Sequence, residues 1–136
     1  PGRYTVFDLT ANKLYSLTDD TKELVSNIGE DVTIYVLANE KQADSTLANT
    51  LDSYEGLSPY IKVTYVDPAV NPKFYTKYTD GSISSNSVII ESSKRSRVVD
   101  YNDLYVSEFD YSTYSQNVTG YDAEGQITSA ISYVLS

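Results

Sequence analysis

The chain has no histidine, no cysteine, no methionine and no tryptophan. Without cysteine there are no disulfides, no thiolate zinc sites and no thiol chemistry. Without histidine the commonest general base is missing, and with it any Ser-His-Asp arrangement. Positive charge is scarce as well: 10 Lys and Arg stand against 19 Asp and Glu, a formal charge of -9. That balance repels nucleic-acid phosphates and anionic lipid surfaces, so no nucleic-acid partner is expected. No apolar run approaches the roughly 20 residues that span a bilayer, and Pro1-Gly2-Arg3 has no signal-peptide core behind it.

What the chain does have is 14 tyrosines in 136 residues, with ordinary hydrophobic and charged fractions of 40% and 21%. A chain of this length and composition folds as one domain with one core. Residues 3–9 (RYTVFDL) read as a first strand, followed by a polar turn at 10–13. Thr18 caps a helix opened by Asp19 and Asp20, with Leu24, Val25 and Ile28 as its buried stripe and Gly29 as its stop. Residues 32–38 (VTIYVLA) are nearly all apolar or β-branched, as in a strand covered on both faces.

A second helix is expected over 43–54, where Leu47, Leu51 and Tyr54 share one face. Residues 61–66 (IKVTYV) form the next strand. Asn71-Pro72 signals a short third helix bearing Phe74, Tyr75 and Tyr78. Residues 88–91 and 97–100 read as a hairpin joined through 92–96, and the last helix covers 123–135 with Ile127, Ala130, Ile131 and Val134 inward. The order β-α-β-α-β-α-β-β-α predicts an α/β fold with a mixed sheet. It matches a thioredoxin-like three-layer sandwich, with 101–121 as a loop inserted before the last helix.

In redox proteins of that arrangement the reactive thiols open the second helix. Residues 38–43 (ANEKQA) hold that place here, and Ser85-Asn86-Ser87 holds the place of the usual cis-proline. Redox chemistry is therefore excluded. Asp122 and Glu124 read as helix-dipole partners rather than an acid/base pair. Their spacing also lacks the regular oxygen ligands of a calcium loop, so neither metal nor cofactor is implied.

The densest feature is the aromatic run at 101–121. Tyr4, Tyr35, Tyr65 and Tyr133 fall within predicted elements and read as structural. Tyr105, Tyr111 and Tyr114, spaced by Ser, Thr and Asn, resemble a recognition surface in which rigid rings alternate with adaptable polar groups. Tyr105, Tyr111, Tyr114, Asn117 and Tyr121 are the candidate binding residues, for a partner protein, a peptide or a glycan. Local packing is the competing reading for all of them. Asn117-Val118-Thr119 also fits a glycosylation sequon. Lys94, Arg95 and Arg97 form a basic cluster, read as a solvated turn or, alternatively, as a docking point for an acidic partner.

Four segments in order, 4–10 (YTVFDLT) with 14–18 (LYSLT), 32–37 (VTIYVL), Val66-Asp67-Pro68 with Asn71-Pro72, and 120–131 (GYDAEGQITSAI), resemble the gliding-motility-type auxiliary component of ABC transporters. The resemblance implies that Asp8 and Thr10 close the first strand, Asp67-Pro68 the third, and that Gly125-Gln126 opens the last helix. It implies a single thioredoxin-like extracytoplasmic domain, 1–136, excised from a longer membrane-anchored protein. Such a domain sits at the outer face of the cell membrane, touches the membrane only through anchors outside this chain, and has the membrane and ATPase subunits of the transporter as partners. It implies no catalytic residues, and no phosphate-binding glycine loop occurs in the chain.

Overall fold

The computed structural model describes residues 6–10 and 15–136. It is a mixed α/β structure with two sheets and three helices. The strands are β1 (Phe7–Asp8), β2 (Val32–Val36), β3 (Ile61–Tyr65), β4 (Val88–Glu91), β5 (Ser96–Val99), β6 (Tyr105–Asp110) and β7 (Ser115–Tyr121), and the helices α1 (Asp19–Ser26), α2 (Ser45–Leu57) and α3 (Ala123–Leu135). Residues 3–5 of the predicted first strand, and most of the turn after it, lie outside the described residues.

The larger sheet runs β3-β2-β4-β5, with β2 and β3 parallel and the other pairs antiparallel. Its register lines up Tyr65, Val36, Val88 and Val99 in one row and Val63, Ile34, Ile90 and Arg97 in the next. Because strand side chains alternate, both rows face one way. They meet Val25 of α1, Leu47, Leu51 and Tyr54 of α2, and Ile127, Ile131 and Val134 of α3 in one continuous core. Fully burying aliphatic side chains of this size stabilises by about 1.5–3 kcal/mol each.

The opposite face, with Tyr35, Leu37, Ile89 and Val98, is covered by Phe74, Tyr75, Tyr78 and Ile83. Here the expected third helix is only a 3-10 turn, Phe74–Lys77. Three of the residues around it are bulky aromatics with poor helix propensity, and a stretch this short cannot offset the cost of helix nucleation. Instead Phe74 and Tyr78 pack their rings on Tyr35, with centroids 5.0 and 6.3 Å away.

The second correction concerns the C-terminal third. Residues 101–121 are not a loop: after a 3-10 turn at Tyr101–Asp103 the chain makes the β6–β7 hairpin. β1 does not join the larger sheet but pairs antiparallel with β7, giving a small sheet in the order β1-β7-β6. Gly120 lies where its strands crowd most: a Cβ there would come within 2.7 Å of Val6 Cγ1 and 3.2 Å of Val106 Cβ. A larger residue there would force one of those two valines to shift.

The ends of α3 account for several charged residues. Asp122 precedes it, and Glu124 in its first turn is buried. At its C-terminus Lys94 Nζ donates to Leu135 O at 3.1 Å, and Arg95 Nη1 to Ser136 Oγ at 3.2 Å. Arg97, at the end of a core row on β5, lays its guanidinium 4.1 Å from the Tyr133 ring centroid. Cations suit the negative end of a helix dipole and the face of a tyrosine ring. The basic cluster is thus engaged within the fold, the first of the two readings above in a more ordered form.

Candidate functional site

The five candidate residues separate into a buried base and an exposed tip. At the base, Tyr121 closes β7 and is only 1% exposed. Its ring stacks edge-on against Tyr15 (5.0 Å) and tilted against Tyr105 (5.0 Å), and its hydroxyl shares a 2.8 Å hydrogen bond with Thr50 on α2. Tyr105, opposite it in the ladder, is half-buried and donates its hydroxyl to Asp44 Oδ2 at 2.8 Å. These rings join the small sheet to α2, and their hydroxyls are committed to partners inside the protein.

Asp44 is the hub of that junction, and sequence reasoning missed it. It is the N-cap of α2: Oδ1 accepts from the amides of Thr46 and Leu47, and Oδ2 accepts from the hydroxyls of Tyr101 (2.7 Å) and Tyr105 (2.8 Å). Its own amide donates to Asn86 Oδ1 at 2.9 Å. Asn86 lies in the left-handed region, φ 68, which asparagine tolerates better than most residues. Partial burial pushes the Asp44 carboxyl up, but the Tyr101 hydroxyl, the Leu47 amide, the Tyr105 hydroxyl and the Thr46 amide outweigh it and hold it below the usual carboxylate value. The same contact works the other way on the phenols. Burial first, then the hydrogen bond and charge of Asp44, raise Tyr101 to about 12 and Tyr105 further. The legible signal was Asp44-Ser45-Thr46, a capping residue at a helix start.

Glu124 was also read too simply. It is 6% exposed, and its carboxylate accepts from the Thr18 amide, the Thr18 hydroxyl and, at 2.6 Å, the Thr21 hydroxyl. The network continues through Thr128 to the Tyr54 hydroxyl at 2.6 Å. It thus ties the N-terminus of α1 to that of α3. Asp122 accepts from Gln126 Nε2 at 3.0 Å within the same helix turn.

The tip is different. Tyr111 is 78% and Tyr114 81% exposed, and they flank the exposed ring of Phe109 at 4.7 and 6.4 Å. The turn that presents them is fixed by Asp110, whose Oδ1 accepts from the amide and hydroxyl of Ser112, and by Tyr114 at φ 53. A positive φ at a tyrosine is strained, because its Cβ crowds the backbone there. Asn117 is exposed on β7, opposite Glu108. With Phe109, Asp110, Tyr111 and Thr119, these two line a groove of about 290 Å³. Rigid aromatic area beside amide, hydroxyl and carboxylate groups is suited to contact.

Another cavity, of about 370 Å³, lies between 15–17 and α2 and is lined by neutral side chains, among them Thr46, Asn49 and Ser53. The Tyr15 hydroxyl beside it is buried and has no hydrogen-bond partner among the described residues. No helix among the described residues is long and apolar enough to cross a membrane.

No curated protein matches the chain in sequence. A family model does match, over residues 11–107, a span that takes in α1, α2 and β2 to β5 and ends within β6, so that Tyr105 alone of the five candidates falls inside it. Since that span is most of the chain, the protein belongs to the family described as a domain of unknown function, DUF7088.

Proposed function

We propose that this chain is a non-enzymatic extracytoplasmic domain of a membrane-anchored ABC-transporter auxiliary protein, working by contact through the tip of its β6–β7 hairpin. The observation that carries the reading is the exposed ring cluster of Phe109, Tyr111 and Tyr114. Large apolar patches left in water on a small domain mark interaction sites more often than accidents.

The β3-β2-β4-β5 order, with α2 crossing over between the parallel strands and α3 returning after the β4–β5 hairpin, supports a thioredoxin-like ancestry for the larger sheet. The place where a redox relative would carry its thiols, residues 38–43, leads directly into Asp44, the cap of α2, which is bound to Tyr101, Tyr105 and Asn86. That supports a scaffold whose former reactive corner is now a structural joint. Glu124, with its carboxylate bound to threonine donors, likewise supports a structural rather than an acid/base role.

The test is a pull-down of the tagged, membrane-anchored parent protein in mild detergent. Recovery of the membrane and ATPase subunits of a transporter, reduced in a Tyr111→Ala/Tyr114→Ala variant, is expected. Recovery of neither subunit overturns the reading. The exposed rings and the Asn117 groove also favour a second reading, a glycan- or peptide-binding module. It requires saturable binding of cell-wall fragments or peptides, followed by tyrosine fluorescence, that the same double variant abolishes.

A further inference from the structure

We propose that the outer edge of β6 accepts an extended segment of a partner protein, with alternating apolar and basic side chains, as an added strand of the small sheet. This rests on reading the hairpin as a contact surface, and not on the transporter assignment.

β6 is the last strand in the order β1-β7-β6, and among the described residues nothing pairs with its outer side. A strand edge of six residues shows its free N–H and C=O groups to any other chain, and proteins ordinarily blunt such edges with lysine, proline, bulges or cover. The larger sheet does so at both of its edges. On β3, Lys62 stands on the strand and the Val63 amide is taken by the Glu55 carboxylate at 2.7 Å. On β5 the strand is short and carries Arg97. β6 carries no basic residue and no proline, and among the described residues no strand covers it: from Val98 to Ser136 the chain holds no lysine, arginine or proline, and the charges on this edge are the carboxylates of Glu108 and Asp110. The bulge in the ladder places its extra residue, Thr119, on β7 and leaves the β6 backbone regular.

The two faces beside this edge differ in chemistry. On one, Glu108 and Asp110 lie in the groove shared with Asn117, and neither has an ion-pair partner among the described residues. On the other, Tyr101, Asn102, Tyr105, Ser107 and Val118 line a groove of about 250 Å³. An incoming strand alternates its side chains between these faces, so basic residues meet the carboxylates while apolar ones enter the tyrosine-lined groove. A second copy of this chain fits poorly. Antiparallel pairing of β6 with itself sets Glu108 opposite Glu108 of the second copy when centred on that residue, or opposite its Asp110 when centred on Phe109, and like charges across a ladder are destabilising.

The experiment titrates the isotope-labelled 136-residue chain with a capped seven-residue peptide of alternating valine and lysine, and with its valine–glutamate counterpart, reading backbone amide shifts. Saturating shifts centred on 105–110 with the lysine peptide, none with the glutamate peptide, and weakening as salt is raised are expected. Glu108→Lys, at an exposed position that leaves Asp110 to hold the turn, should weaken binding at least tenfold with the spectrum of β2 to β5 unchanged. Ser107→Pro, which removes an edge amide, should abolish it, and if that variant does not fold the charge reversal decides alone. Equal response to both peptides, no response, shifts centred elsewhere, or full affinity in the charge-reversed variant overturns the proposal. So does a concentration-dependent dimer in sedimentation that the charge reversal strengthens, because the edge then belongs to a second copy. Failure of the peptide leaves the pull-down unaffected, since that assay reads the tip rings and not the strand edge.

Discussion

The two ends of the β6–β7 hairpin are furnished with the same residue and use it in opposite ways. At the base, Tyr121 is 1% exposed, and its hydroxyl and that of Tyr105 are held by Thr50 and Asp44 of α2 and its cap. At the tip, Tyr111 and Tyr114 are more than three-quarters in water and touch little but Phe109. Tyrosine has an apolar body and a polar end, so it serves as core only where a partner for the hydroxyl is provided. The difference between anchor and exposed tip therefore lies in what α2 supplies, and not in the hairpin's own composition.

The sharpest way to break this comparison is to truncate one ring at each end. Tyr121→Ala removes a fully buried ring that packs on Tyr15 and Tyr105, and should cost about 3–5 kcal/mol. Tyr114→Ala should change stability by less than about 0.5 kcal/mol. Urea denaturation followed by circular dichroism measures both. Comparable losses at the two positions would mean that the tip is part of the folded core after all.

Asp44 tests whether the base is held by its clasp. Asp44→Ala removes the cap of α2 and the acceptor shared by Tyr101 and Tyr105, and should cost about 2 kcal/mol. Because the folded-state pKa of this carboxyl lies below its unfolded value of 3.8, its contribution is present above that value and lost as the pH falls through the folded one. The stability gap between the parent chain and Asp44→Asn should thus narrow below about pH 4. Tyr101 has the opposite sign. Raised to about 12, it contributes stability that is complete below pH 10.0 and lost on approaching 12, and its alkaline titration should move down in Asp44→Ala. An unchanged titration would show that the clasp does not form in solution.

Gly120 probes the middle of the hairpin, between anchor and tip. A methyl group there meets Val106 Cβ, which is fixed to its strand, and Val6 Cγ1, which lies on an exposed side chain. Gly120→Ala should cost about 1 kcal/mol, and Gly120→Ala/Val6→Ala should recover part of it. No recovery would place the strain on the β6 side alone.

How far these parts could be read beforehand follows from how local their causes are. β2, β4 and α3 were legible because Val32, Ile34 and Val36, or Ile127, Ile131 and Val134, repeat at the period of their own element. The hairpin was not. Its turn, Tyr111-Ser112-Thr113-Tyr114, contains no glycine or asparagine, its left-handed residue is a tyrosine, and the bulge at Thr119 breaks the alternation along β7. The joints were hidden for another reason: Asp44 and Tyr105 lie 61 residues apart, and Thr18 and Glu124 lie 106 apart. A polar pair so distant leaves no periodic trace: alone, Asp44 and Thr18 read as ordinary helix caps, Glu124 as a helix-dipole partner and Tyr105 as a surface ring. Among the candidate site residues, Tyr111, Tyr114 and Asn117 proved accessible, whereas Tyr105 and Tyr121 belong to the anchor.

The smallest expected effect on stability is also the one that bears most on function. A Tyr111→Ser/Tyr114→Ser variant removes both exposed rings while leaving Asp110 to hold the turn through Ser112. Tyr114 is held at φ 53, where serine keeps the same Cβ and so neither adds nor removes backbone strain, and the double change should be neutral within about 0.5 kcal/mol. If the variant is as stable as the parent and loses partner recovery in the pull-down, the tip is the contact surface. If it loses about 2 kcal/mol or more, the rings support the hairpin itself, and the division between anchor and contact surface moves outward beyond Phe109.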